Sequence, residues 1–289
     1  MFSISKILLP IDFSERSAGA ARFAIHLARH FNSELALLHV FEPPGEFGKI
    51  EGAPVLEDLL VELQAGSQRT LDAFMKTEFQ DLKVTRTMLH GDPAGKIVEY
   101  TLSEKPDLIM MATHGYGPFR RFLLGSVTAK VLHDAKCPIW TGTHVEAFHS
   151  LESARPGHIV CAIDLGPQSR HTLDWAARMA DDMKAPMTIV HVITSLDPHT
   201  QTYYLSPEWR KDVSDEALAS LGELKKDMGI KAEVKLEFGD VHKGVCHAAA
   251  TLKADLLVIN RGVDGGSGGR LRTYAYAIIR DSSCPVVSV

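Results

Sequence analysis

Short, wholly apolar runs alternate along the chain with longer segments whose apolar positions recur every three or four residues. Ile7 to Ile11 form one such run, apolar throughout as a strand buried on both faces requires. Over residues 14–31, Ala18, Ala21, Ala24, Ile25 and Ala28 fall near helical spacing and predict an amphipathic helix. Further strands are predicted at 34–40, 84–89, 108–112 and 138–142, with helices over about 55–78, 93–103 and 126–135 between them. Strands of this kind separated by helices make a parallel sheet covered on both faces. Ligands of such sheets sit beyond the carboxyl ends of the strands, where the strand order reverses, and Asp12, Val40 and Ala112 all lie at strand ends.

The whole pattern occurs twice. KILLPID ending at Asp12 returns as HIVCAID ending at Asp164, and LLHV ending at Val40 returns as IVHV ending at Val192, both 152 residues later. Gly91-Asp92 returns at Gly239-Asp240, the stretch ending at Gly115 returns ending at Gly262, and Cys137-Pro138 returns as Cys284-Pro285, at spacings of 148, 147 and 147. Landmarks kept in order at so steady a spacing mark an internal duplication. The expected fold is α/β: two tandem Rossmann-like domains, each a five-stranded parallel sheet flanked by helices, over residues 1–145 and 156–289. Residues 143–155 break the periodicity and read as a linker.

Composition narrows the function without naming it. The chain has 289 residues, enough for two cores, with 45% hydrophobic and 23% charged residues, ordinary values for folded soluble proteins. A net charge of −5 with no Lys/Arg block argues against a nucleic-acid partner. No apolar stretch reaches the roughly 18 residues of a membrane span. The amino-terminal segment lacks a secretory pattern, so a cytoplasmic location is expected. Cys137, Cys161, Cys246 and Cys284 show no CxxC spacing and read as buried reduced thiols, and the 14 histidines form no metal-ligand pattern.

The stretch MATHGYGPFRRFLLGSVT, from Met111 to Thr128, carries the chemistry. A strand runs into a glycine-containing loop, and Gly125-Ser126 then opens a helix whose free N–H groups and dipole suit an anion. Gly115 and Gly125 would let a phosphate approach the backbone, the Ser126 and Thr128 hydroxyls could donate to it, and Arg120 and Arg121 could add charge. The spacing is neither that of a Walker loop nor GxGxxG. It resembles the ATP-binding motif of the universal stress protein (UspA) family, G-2x-G-9x-G-[ST], here Ala112, two residues, Gly115, nine residues, Gly125 and Ser126. Val127-Thr128 agrees as well.

The resemblance implies an adenine nucleotide alpha hydrolase-like fold and an ATP site, the nucleotide accompanied by Mg2+, in the first domain. Pro10 and Asp12 would then line the nucleoside, Val40 would offer backbone groups to the adenine edge, Met111, Ala112 and Gly115 would border ribose and phosphates, and Gly125, Ser126, Val127 and Thr128 would hold the phosphate tail. It also implies domains that pair through their last strands, here within one molecule, with a homodimer of chains left open. Ala112 departs from the motif. Its methyl fits if φ is negative, whereas a positive φ would cost about 1 kcal/mol.

In the second copy the motif register gives Ile259, Gly262, Arg272 and Thr273, with Asp164 retained. Residues 262–273 read as a glycine-rich loop, either a relic in a structural domain or an anion site in which Arg270 and Arg272 replace backbone donors. His39 and His191 occupy equivalent strand positions and read as packing or hydrogen-bonding groups, Asp92 and Asp240 as helix N-caps, and Tyr203, Tyr204 and Trp209 as core rather than as a cover for the second cleft. His114 lacks a visible orienting partner for general-base work. The expected function is therefore an ATP-binding regulatory protein of the stress response with at most slow hydrolysis. The alternatives are a nucleotide-independent interaction or scaffold protein and, third, an enzyme of adenylyl or phosphoryl transfer.

Overall fold

The computed structural model describes residues 2–43, 54–113, 124–142, 156–194, 207–261 and 269–289, with backbone alone at 54–56 and 269–273. The chain divides into two compact units, built around residues 3–141 and 155–289. Among the described residues no helix is long and apolar enough to cross a membrane.

The first unit runs β1 (Lys6–Pro10), α1 (Glu15–Phe31), β2 (Glu34–Phe41), α2 (Pro54–Ala73), β3 (Val84–His90), α3 (Pro93–Glu104), β4 (Leu108–Ala112), α4 (Ser126–Asp134) and β5 (Ile139–Gly142). Its strand order is β3-β2-β1-β4-β5, with β1 parallel to both β2 and β4, so the order reverses between β1 and β4. The second unit repeats this as β6 (Ile159–Ala162), α5 (Ser169–Met183), β7 (Met187–Ile193), α6 (Pro207–Met228), β8 (Glu233–Phe238), α7 (Val241–Thr251), β9 (Leu256–Ile259), α8 (Gly269–Asp281) and β10 (Val286–Ser288). There the order is β8-β7-β6-β9-β10 and the reversal lies between β6 and β9.

Local chemistry sets the boundaries. Ser14 caps α1 by accepting from the Ser17 N–H, and Asn32 ends the helix in the left-handed region. The alanine stripe of α1 is buried as its spacing requires. The second helix stops earlier than its periodicity suggests, at Ala73 rather than near residue 78. Met75 takes a φ of 47°, and the Arg86 guanidinium of β3 donates to the carbonyls of Leu71 and Phe74, satisfying the last turn from outside. Asp92 and Asp240 cap α3 and α7 as expected, accepting from Gly95 and Lys243 N–H.

Of the cysteines, Cys161 and Cys284 are buried, but Cys137, in the turn before β5, and Cys246, on α7, are only half-buried. Burial still raises the Cys246 thiol pKa to about 11, so it stays protonated at neutral pH.

The caps of α3 and α5 are exposed lysines in the left-handed region, Lys105 at φ 47° and Lys184 at φ 56°. A side chain there is strained by roughly 1 kcal/mol, and glycine is not. Lys105→Gly and Lys184→Gly are each expected to stabilise the protein by about 1 kcal/mol in urea unfolding. An unchanged midpoint in both would show that these caps carry no strain.

Candidate functional site

The order reversal in the first unit opens a cavity of about 250 Å³ at the carboxyl ends of β1, β2 and β4. Its lining includes Pro10, Asp12, Val40, Met111, Ala112, Gly125, Ser126, Val127 and Thr128. Nine of the ten residues singled out from the sequence thus converge on one space; the tenth, Gly115, lies outside the described residues, as do His114, Arg120 and Arg121. Ser17, His39, Pro93 and Ile97 also line it. The His39 counterpart at His191 was a visible signal, whereas Ser17, Pro93 and Ile97 carry no pattern that separates them from ordinary helix residues.

Asp12 is held in place by its neighbours. Phe13 follows it at φ 63°, an unusual backbone for a bulky residue, and this turn brings the Ser14 N–H and hydroxyl onto Asp12 Oδ1 at 3.0 and 2.6 Å. Oδ2 accepts no bond among the described residues. The arrangement recurs in the second unit, where Leu165 has φ 61° and Asp164 Oδ1 accepts from Gly166 N–H and the Ser169 hydroxyl. His39 Nδ1 donates to the Ile11 carbonyl at 3.0 Å, and His191 Nδ1 to that of Ile163 at 2.9 Å. Each histidine therefore ties β2 or β7 to the loop bearing the aspartate, the hydrogen-bonding role expected of the pair.

Gly125 is the N-cap of α4, with extended backbone and no side-chain capping bond. The N–H groups of Ser126, Val127 and Thr128 consequently have neither an intrahelical partner nor a capping side chain, and their residues line the cavity. Two donors expected to serve an anion are already engaged. The Gly125 N–H donates to the Thr113 carbonyl at 2.8 Å, and the buried Thr128 hydroxyl donates to the Ala112 carbonyl at 3.0 Å, latching α4 to the end of β4. Ala112 lies within β4 and is not among the residues of positive φ, so its methyl causes no backbone strain. Asp92 accepts from Lys130 Nζ at 2.9 Å and ties the start of α3 to the middle of α4. The Lys130 ammonium and the Gly95 N–H hold its carboxyl below the usual range. Among the described residues no three His, Cys, Asp or Glu side chains gather as a metal site.

The corresponding cavity of the second unit is larger, about 580 Å³. Two readings of its sequence need correction. Leu108 and Leu256 occupy the same pairing position against β1 and β6, so the counterpart of Ala112 is Asn260, and not Ile259. The deleted residue falls after the strand, where the sequence offers no landmark. The loop read over 262–273 is also shorter: α8 begins at Gly269, placing Arg270, Arg272 and Thr273 in its first turns. Their side chains, and Tyr203 and Tyr204, lie outside the described residues. Trp209, expected in the core, instead lines the cavity, because α6 carries it over the cleft.

The profile of the universal stress protein family matches residues 3–141 and again 156–289. A stretch of 136 residues, 46% of this chain, is 35% identical to universal stress protein MJ0531 of Methanocaldococcus jannaschii over 79% of that protein. A stretch of 139 residues, also 46% of the chain, is 31% identical over 94% of a universal stress protein of Thermus aquaticus. The crystal structure of a universal stress protein from Archaeoglobus fulgidus superposes with a TM-score of 0.69 at 21% identity, covering 99% of this chain and 96% of that one, a likeness of fold.

Proposed function

Because the chain belongs to the universal stress protein family, we propose that its first unit binds ATP and that the protein acts as a nucleotide-responsive regulator of a stress response. One observation carries the reading: three helix-start N–H groups, at Ser126, Val127 and Thr128, have no partner among the described residues and border the same cavity as Pro10, Asp12 and Val40. Such amides at the positive end of a helix suit phosphate. The cavity volume, near the lower end of small-molecule pockets, suits a nucleoside body with its phosphates along the start of α4. Mg2+ would arrive on the triphosphate and supply charge neutralisation, since the described residues gather no metal ligands of their own. In this reading residues 1–145 and 156–289 are separate domains joined by 143–155.

Turnover is expected to be slow, because the carboxylate lining the cavity, Asp12, is held by Ser14 and belongs to the nucleoside end. The scaffold alternative draws on the engagement of the Gly125 N–H and the Thr128 hydroxyl. Three other amides nevertheless remain for an anion. Calorimetric titration of the full chain with Mg-ATP tests the proposal. The expected result is one equivalent bound, at least tenfold tighter than adenosine, which lacks the tail these amides would grip. No heat at millimolar ligand would remove the proposal and leave the scaffold.

A further inference from the structure

The second cavity differs from the first in kind. In the register set by Cys137 and Cys284, Ser126, Val127 and Thr128 correspond to Thr273, Tyr274 and Ala275. Since α8 starts at Gly269, these three stand past its first turn and their N–H groups are bonded within the helix. The amides that make an anion site in one unit are spent on helix in the other. The described lining is largely aliphatic, with Asp164 its one charged side chain, and this part of the cavity disfavours an anion.

What replaces the phosphate grip is ring surface. Trp209 and Val213, one helical turn apart on α6, enter the lining from one side and Tyr274 of α8 from another. Among the described residues none of α2 lines the first cavity. The Asp164 carboxylate is a strong acceptor at the mouth of β6, and its Oδ1 already takes the Gly166 N–H and Ser169 hydroxyl, while His191 Nδ1 is bound to the Ile163 carbonyl. A volume of about 580 Å³ falls within the range of small-molecule pockets.

We propose that this second cavity binds an uncharged, mainly apolar small molecule with a flat ring and an N–H or O–H donor. The proposal does not depend on ATP binding in the first unit. N-phenyl-1-naphthylamine has this chemistry and fluoresces when removed from water, so titration of the full chain with it is the test. The expected result is saturable binding of one equivalent, undiminished by saturating Mg-ATP and at least tenfold weaker in Val213→Trp, which fills the space. Trp209→Phe should retain the dye yet lose a measurable share of the energy transfer from protein to dye, a readout that survives if Val213→Trp does not fold. Absence of saturable binding overturns the proposal, as does displacement by Mg-ATP, unchanged affinity in folded Val213→Trp, or unchanged energy transfer in Trp209→Phe.

Discussion

Gly125→Asp is expected to weaken Mg-ATP binding at least a hundredfold while raising the stability of the protein, a combination that loss of folding cannot imitate. Gly125 holds φ −60° and ψ 143°, the extended backbone of a helix N-cap, with no side chain to cap α4. Aspartate is among the best N-caps, and its carboxylate accepts from the second or third helical N–H, here Val127 or Thr128. It would thus occupy the amides assigned to phosphate and place a negative charge where the tail must lie. The gain in capping is about 0.5 kcal/mol, since glycine is already a fair cap. The loss in binding is about 2.7 kcal/mol for a hundredfold change. Unfolding in urea and calorimetry with Mg-ATP on the same samples give both numbers. Unaltered affinity in a stabilised variant would mean that the α4 amides do not hold the nucleotide.

Which parts of this site the sequence reveals depends on the range of the forces involved. The strands β1 and β4, the capped start of α3 and the Gly125-Ser126 opening of α4 are local features, and periodicity or turn chemistry places each within a few residues. Their convergence on one cavity follows from the strand order, which periodicity does not give. The commitments of individual donors are a different matter. That the Thr128 hydroxyl goes to Ala112 and the Gly125 N–H to Thr113 is decided by neighbours distant in sequence. The end of α2 is likewise set by Arg86, from the following strand. In the second unit a single deletion and an extra helical turn alter the site, and neither leaves a composition signal. The glycines of 262–273 even suggest a loop where α8 has already begun.

The largest loss of stability is expected from Trp140→Ala, with nucleotide affinity of the folded protein unchanged. Trp140 lies on β5, 1% exposed, with its ring 5.1 Å from that of Phe23 on α1. Removing a buried indole of this kind costs about 3–5 kcal/mol through lost burial and the cavity left behind. Its Nε1 is buried and has no hydrogen-bond partner among the described residues. Trp140→Phe therefore loses part of the volume but also relieves a desolvated donor, a penalty of about 1–3 kcal/mol in the wild type. Phenylalanine should accordingly cost far less than half of what alanine does. The duplication supports a packing role: the counterparts of Phe23 and Trp140 are Trp175 and Val287, so the larger ring is on the helix in one unit and on the strand in the other. Trp140 is absent from the cavity lining, which is why affinity measured well below the unfolding midpoint should hold. Equal destabilisation by alanine and phenylalanine would contradict the unsatisfied indole, and a parallel fall in affinity would tie β5 to the site.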